Sequence, residues 1–326
     1  MISRRQMLAS GAALLASGIP DRATAQSNYP DRPIRLIIGF AAGGPTDVIG
    51  RIVAQDMSAT LGQSVVVENR TGANAQVATE AVARADADGY TLLCTSLSHV
   101  VNFLIVPNVK YHPLNDFVPI GNAAVTPLVI VTAAGSSYNT LQELIAAAKQ
   151  KPGELLYGSA GNGGSAHLAA AMLARAADVK MGHVPFRGNA PALTEVLAGR
   201  ISFMFYPMIG IADYVADNKL KVLASGTKQR QADFPNVPTM AEAGLSGFED
   251  TAPWIGMFAP AKTPAPIVQK LTGALQQSLR KPETMERIKK LGGNVVGSSS
   301  SEFRAFLEQD IERWDRVIKA SGIKAE

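Results

Sequence analysis

The strongest constraint in this sequence is a unit that keeps returning: a short aliphatic run, a turn rich in glycine or serine, and then a helical pattern. Its first instance opens with Ile34-Arg35-Leu36-Ile37-Ile38-Gly39-Phe40, a buried-strand run. It passes through a glycine-rich turn at 41–45 and becomes helical from near Asp47 to Leu61-Gly62. The unit recurs as Val65 to Glu68 before Gln76 to Arg84, as Thr91 to Thr95 before a turn at Ser96 to His99, and as Leu155 to Tyr157 before Ser165 to Ala177. Strands alternating with helices in this way predict an α/β fold with parallel pairing and helices laid on the sheet faces. Further helix starts are marked by capping-box spacing at Thr140-Leu141-Gln142-Glu143 and at Ser299 to Glu302, and by Thr263 placed before Pro264.

Two stretches break the pattern. Phe117 to Thr132 and Thr251 to Ala259 are apolar, interrupted by prolines and without a helical partner close by. They read as extended crossings between two lobes, which divides the chain into a discontinuous first domain, 27–124 plus 253–326, and an inserted second domain, 125–252. A cleft is expected between them.

The glycine-rich turns carry the chemistry. Where a strand hands over to a helix, free N–H groups gather at the positive end of the helix dipole, and glycine lets a ligand approach the backbone, so a carboxylate or phosphate is the natural guest. Phe40-Ala41-Ala42-Gly43-Gly44-Pro45-Thr46-Asp47 is such a turn, although Thr46 or Asp47 could equally serve as an ordinary helix cap. Ser159 to His167, with Gly163, Ser165 and two further glycines, is a second turn in the other lobe, and Ser96 to His99 could add a hydroxyl from the first. Two facing anion sites would form a clamp for a small acid. Nucleotide binding is disfavoured: a phosphate loop needs a lysine where Pro45 stands, and the glycines miss the G-x-G-x-x-G spacing. An esterase elbow around Ser165 fails because His167 occupies the position of the second glycine. The histidines His99, His112, His167 and His183 show no H-E-x-x-H pair for zinc, so neither a metal site nor a cofactor is expected. The single Cys94, at the end of an apolar run, reads as a small buried hydrophobe.

Residues 1–25 have the three parts of an export signal: Arg4 and Arg5, an apolar run from Met7 to Ile19, and Ala23-Thr24-Ala25 before Gln26. Ser3-Arg4-Arg5-Gln6-Met7-Leu8 resembles a twin-arginine motif, with general secretion as the alternative route. Cleavage removes Arg4, Arg5, Arg22 and Asp21 and lowers the formal charge from +4 to +2, with no basic blocks left to favour nucleic acid. At 47% hydrophobic and 18% charged residues, the 326-residue chain has the material for a folded core.

In their order and spacing, a series of segments resembles the periplasmic solute receptors of tripartite tricarboxylate transporters, the Bordetella uptake gene receptor family. They are Tyr29 to Arg35, Phe40 to Arg51, Val67 to Arg70 with Gly72-Ala73, Ala87 to Leu93, Gly158 to His167, Val184 to Gly188 with Ala190 to Ala192, Phe234 to Thr239 with Glu242 to Gly244, and Trp254 to Pro260. The resemblance implies a two-lobed type II periplasmic binding protein fold with a hinge of two crossing strands, closing on a small mono-, di- or tricarboxylate. By motif position the ligand would be gripped by Phe40, Gly43, Gly44, Thr46, Asp47, Ser159, Gly163, Ser165 and His167, with Ser96 of the third turn the hydroxyl expected to join them. Arg187 replaces the family's usual lysine and is expected to orient contacts from the second lobe, with a surface ion pair as its alternative role. Ser202 and Tyr206 stand where acidic residues are often found; a cleft-facing Tyr206 would remove the partner for an ammonium, whereas it could equally be a packing ring. The expected partners are the ligand and the membrane permease subunits, with the chain a monomer in the periplasm and no catalytic residue. The rivals are a Ser165–His167 hydrolase on the same scaffold and a sensor that docks to a membrane kinase.

Overall fold

The computed structural model describes residues 29–249 and 251–321, so the export signal read at 1–25 lies outside the described residues. The described chain forms two α/β lobes, each built on one sheet. The first sheet runs β11 (Asn294–Val295), β4 (Phe117–Val125), β10 (Trp254–Pro260), β3 (Thr91–Ser96), β1 (Ile34–Ile38), β2 (Val65–Asn69). The β1 strand pairs in parallel with β2 and β3, as the strand–turn–helix repeats predict, while β10 runs antiparallel to both β3 and β4. The second sheet runs β7 (Gly182–Pro185), β6 (Leu156–Ser159), β8 (Phe203–Pro207), β5 (Leu128–Ala133), β9 (Leu220–Ser225), with β6 parallel to its two neighbours and β5 antiparallel to its own.

Side-chain alternation sends each strand into two layers. In β1, Ile34, Leu36 and Ile38 pack beneath α1 (Pro45–Leu61), α8 (Ala265–Arg280) and α9 (Pro282–Lys290), while Ile37 faces α2 (Gln76–Ala83), α3 (Ser98–Ile105) and α10 (Ser300–Ser321). In the second lobe, Phe203 and Phe205 face α4 (Leu141–Gln150) and α5 (Ser165–Ala176), and Met204 and Tyr206 face α6 (Asn189–Leu197) and α7 (Ala212–Ala216). Strands covered on both sides explain the near-continuous aliphatic runs.

The capping boxes form at α4, where Thr140 Oγ1 accepts from Glu143 N, and at α10, where Glu302 N donates to Ser299 Oγ. Thr263 is not a cap: Pro264 occupies the N-cap position of α8, which has no side-chain cap bond. The first apolar stretch passes from β4 in one sheet to β5 in the other through Thr126-Pro127, and the second brings the chain back into β10. The crossings are tied together, since both Thr126 N and Thr126 Oγ1 donate to Pro253 O, at 2.9 and 3.2 Å.

Candidate functional site

Helices α1, α3, α5 and α6 all begin at the place where the lobes meet. None of them carries a side-chain N-cap bond. Their first residues, with Ser96 at the end of β3 and Thr126 in the crossing, line a small void of about 20 Å³. A helix leaves its first N–H groups without intrahelical partners, and these carry the positive end of the dipole. Thr46 contributes from α1, Ser98 from α3, Ser165 from α5 and Asn189 from α6. Ser98 Oγ, Asn189 Oδ1 and the neighbouring Asn74 Oδ1 have no hydrogen-bond partner among the described residues, and Ser98 and Asn74 are buried. No charged side chain lines the void. The helix N-termini and the Ser98 hydroxyl present neutral donors and the two asparagine oxygens present acceptors, in a space about the size one water requires.

Two hydrogen-bonded networks hold the turns behind this void. Asp47 Oδ2 accepts from Gly43 N and from Arg51 Nε, both at 2.9 Å, and Oδ1 accepts from Asn69 Nδ2 at 2.8 Å. Burial opposes ionisation of Asp47, yet the bonds from Arg51, Gly43 and Asn69 outweigh it and hold the carboxyl below its ordinary range. Asn69 Nδ2 also donates to Phe40 O, closing the turn. In the second lobe, His167 Nδ1 accepts from Gly163 N at 3.0 Å, and His167 stacks on His183 with ring centroids 4.1 Å apart. Ser159 Oγ lies 2.7 Å from His183 Nε2 and 3.1 Å from both the N and the O of Gly161. All three contacts are satisfied when Nε2–H donates to Ser159 and the hydroxyl proton goes to Gly161 O. His183 is neutral in this arrangement, its pKa lowered to about 3 by burial and by His167.

The lobes touch directly around the void. Ala41 N donates to Arg187 O at 3.1 Å across the cleft. Gly188, next in the chain, has φ +146, and a Cβ there would stand 2.9 Å from Ala41 N, so only glycine allows this approach. Gly163 sits at φ +76, and a Cβ there would meet the movable end of Ile105, so the second turn favours glycine chiefly through its backbone conformation. Phe40 and Ala75 of the first lobe pack on Ala160 of the second. Beside this contact lies a larger chamber of about 400 Å³, sharing Asn74 and Ala160 with the small void and lined also by Gln76, Asn102, Phe186 and Arg187.

Of the residues the sequence singled out, Phe40, Thr46, Ser96 and Ser165 line the void and Arg187 lines the chamber. Gly43, Asp47, Ser159, Gly163 and His167 lie behind it, shaping the turns, and Gly44 sits at the lobe contact, where an added Cβ would be 4.0 Å from Asn189 N. Tyr206 is in neither lining. It is 3% exposed in the apolar layer under α6, where burial pushes its phenol well above the ordinary range, so it is a packing ring and offers the cleft no selectivity against amines. Ser202 Oγ accepts from Leu156 N away from the cleft. Sequence reasoning missed Asn74, Thr126 and Asn189; Asn74 sits at φ +50, a conformation asparagine tolerates, and Asn189 follows Gly188, whose φ of +146 favours glycine.

Of the Ser165–His167 pair considered for a hydrolase, His167 Nδ1 is occupied by the Gly163 amide and so does not serve as a base toward Ser165. Cys94 is buried beside Gly50, its thiol pushed up to about 12 by burial and by Asp47. Among the described residues no cluster of His, Cys, Asp or Glu is arranged to hold a metal.

Residues 49–323 match the model of the tripartite tricarboxylate transporter family receptor. A Pseudomonas sp. (strain P51) protein of the UPF0065 group, from the tcbD-tcbE intergenic region, is 37% identical over 97% of this chain and 94% of its own. The fold superposes on the periplasmic binding protein BugD with a TM-score of 0.88 at 34% identity, covering 91% of this chain and all of that one. An R. palustris protein solved with adipate gives 0.87 at 30% identity, covering 91% and 99%. MatC from Rhodopseudomonas palustris, solved with malate, gives 0.85 at 30%, covering 89% and 100%.

Proposed function

The chain belongs to the tripartite tricarboxylate transporter receptor family, and on that premise we propose that it captures a small carboxylate between its lobes without chemically altering it. The observation that carries this reading is the convergence of four uncapped helix N-termini on one void that holds no charged side chain. A carboxylate there would accept N–H bonds from both lobes and hydroxyl bonds from Thr46, Ser98 and Ser165. Charge-assisted hydrogen bonds contribute roughly 1.5–3 kcal/mol each when water is excluded, and micromolar affinity needs about 8 kcal/mol. The neighbours solved with adipate and malate support an acid as the guest.

In this reading residues 27–124 plus 253–326 form one domain and 125–252 the other, and capture is a hinge motion at Thr126-Pro127 and Pro253. The acid enters between parted lobes; closure brings Gly188 onto Ala41 and removes water from the clamp. Export by the 1–25 leader places the chain in the periplasm, where the closed form presents its acid to permease subunits.

Ser98→Ala tests the clamp. The Ser98 hydroxyl is buried and without a partner, so its removal should leave the melting temperature of the free protein unchanged or raised. The same change should weaken acid binding about tenfold in calorimetry, the loss of one charge-assisted bond. A variant that melts lower while binding as tightly as wild type would remove Ser98 from the clamp. Failure of every small carboxylate to raise the wild-type melting temperature would remove the function itself.

A further inference from the structure

We propose, building on the carboxylate-receptor reading, that Asn74 is a specificity-determining residue of the clamp: its side-chain oxygen is a fixed acceptor that favours acids with a hydroxyl on the carbon next to the carboxylate. Asn74 is 8% exposed, and its Oδ1 has no hydrogen-bond partner among the described residues. The orientation of its amide follows from its neighbour. Asn102, buried in α3, faces Asn74 O with one side-chain amide atom at 2.9 Å, and because a carbonyl oxygen only accepts, that atom is Nδ2. Asn102 Oδ1 then requires a donor, which Asn74 Nδ2 supplies at 3.1 Å. Asn74 cannot turn its amide round without breaking this pair, so Oδ1 stays an acceptor.

The glycines of the second lobe show where that oxygen points. A Cβ on Gly161, which lines the chamber, would meet Asn74 Cβ at 3.1 Å, whereas a Cβ on Gly164, which lines the small void, would meet Asn74 Oδ1 at 3.3 Å. The oxygen is turned toward the void and the start of α5. The Gly164 N–H does not serve it, since it donates to Gly161 O. A carboxylate held by the helix N-termini is itself acceptor-only, so it and Asn74 Oδ1 repel each other unless a proton lies between them. With space for about one water, no solvent bridge remains once a guest is in place. A hydroxyl on the adjacent carbon supplies the proton. An acid without it leaves Asn74 Oδ1 buried and unpaired, the means by which a site built to bond a hydroxyl rejects the analogue that lacks one. An ammonium could donate as well, but neither aspartate nor glutamate lines the void to balance its charge.

The test is calorimetric titration of the full mature chain with acids that differ only at the second carbon: propanoate with lactate, butanoate with 2-hydroxybutanoate, and succinate with malate and aspartate. In every set that binds, wild type should hold the hydroxy acid at least about tenfold tighter than its deoxy partner, and malate tighter than aspartate. Asn74→Gly removes the acceptor at a backbone φ of +50 that glycine adopts readily, and it should bring each ratio close to one. Equal affinities within the wild-type pairs overturn the assignment. An Asn74→Gly variant that weakens both members of a pair alike, keeping the wild-type ratio, also overturns it, since that is what a purely structural role gives. Aspartate held tighter than malate overturns the choice of hydroxyl over ammonium. The receptor reading survives each of these results while acids bind and Ser98→Ala weakens them; it fails separately if no acid binds at all.

Discussion

Leu168 is where closure should be most sensitive to a single side chain. Helix α5 directs Ala166, Ala169, Ala170 and Leu173 into its own lobe, but Leu168 packs with Leu97 and Val101 around α3 and with Trp314 and Ile318 of α10, all in the first lobe. It is fully buried by that contact. Burying a leucine is worth about 1.5–3 kcal/mol, so parting the lobes would expose it at a cost of about 2 kcal/mol. At 1.4 kcal/mol per factor of ten, losing that term in Leu168→Ala moves the open–closed balance about 30-fold toward open. A ligand bound only by the closed form loses affinity by the same factor once that form is a minority. Leu173→Ala is the control: it removes an equally buried leucine within one lobe, so it should destabilise by about 2–5 kcal/mol and leave the dissociation constant alone. Calorimetry gives the constants, scanning calorimetry the stabilities, and small-angle scattering the free-state dimensions, which should grow for Leu168→Ala only. Equal effects of the two substitutions on affinity would refute the latch.

Further consequences follow from the networks behind the clamp. Asp47→Ala should destabilise the chain by about 1–3 kcal/mol and weaken acid binding, since it releases the Gly43 amide and Arg51 together; unaltered affinity in the folded variant would show that the first turn keeps its shape without it. His183 and His99 are held neutral, their pKa values lowered from 6.5 to about 3 and about 4 by burial first. The unfolded chain therefore binds more protons below pH 6.5, so stability should be flat above neutrality and fall as pH drops from about 6.5 toward 4. A melting temperature higher at pH 5 than at pH 7.5 would contradict this.

The clamp could be read in part from sequence because its chemistry is mostly backbone. A strand run, glycines and a helix start fix where free amides must collect, which places Thr46, Ser96 and Ser165 without reference to side-chain contacts. It could not separate residues that face the ligand from residues that shape the turn: Asp47 and His167 lie in the same segments, yet their side chains point back into their own lobes. Helix α3 was invisible for a related reason. Val100 packs in one layer and Val101 in the contact between lobes, and Ser98, His99 and Asn102 are buried with them, so the eight-residue helix mixes polar and apolar residues among its buried positions. Tyr206 stayed open between a cleft-facing residue and a packing ring because one residue of strand register decides between two layers, and only pairing with β5 fixes that choice.

The neutrality of the clamp bears on how recognition and motion are coupled. Amide and hydroxyl donors hold a carboxylate little better than water does while water competes, so an open cleft with these groups binds weakly. Their advantage appears when the lobes meet and the local dielectric falls. That meeting is made by groups which never touch the acid: Gly188 against Ala41, Gly163 against Ile105, and Leu168 against Trp314. An arginine placed inside the clamp would bind acids in the open state as well and weaken the link between occupancy and closure.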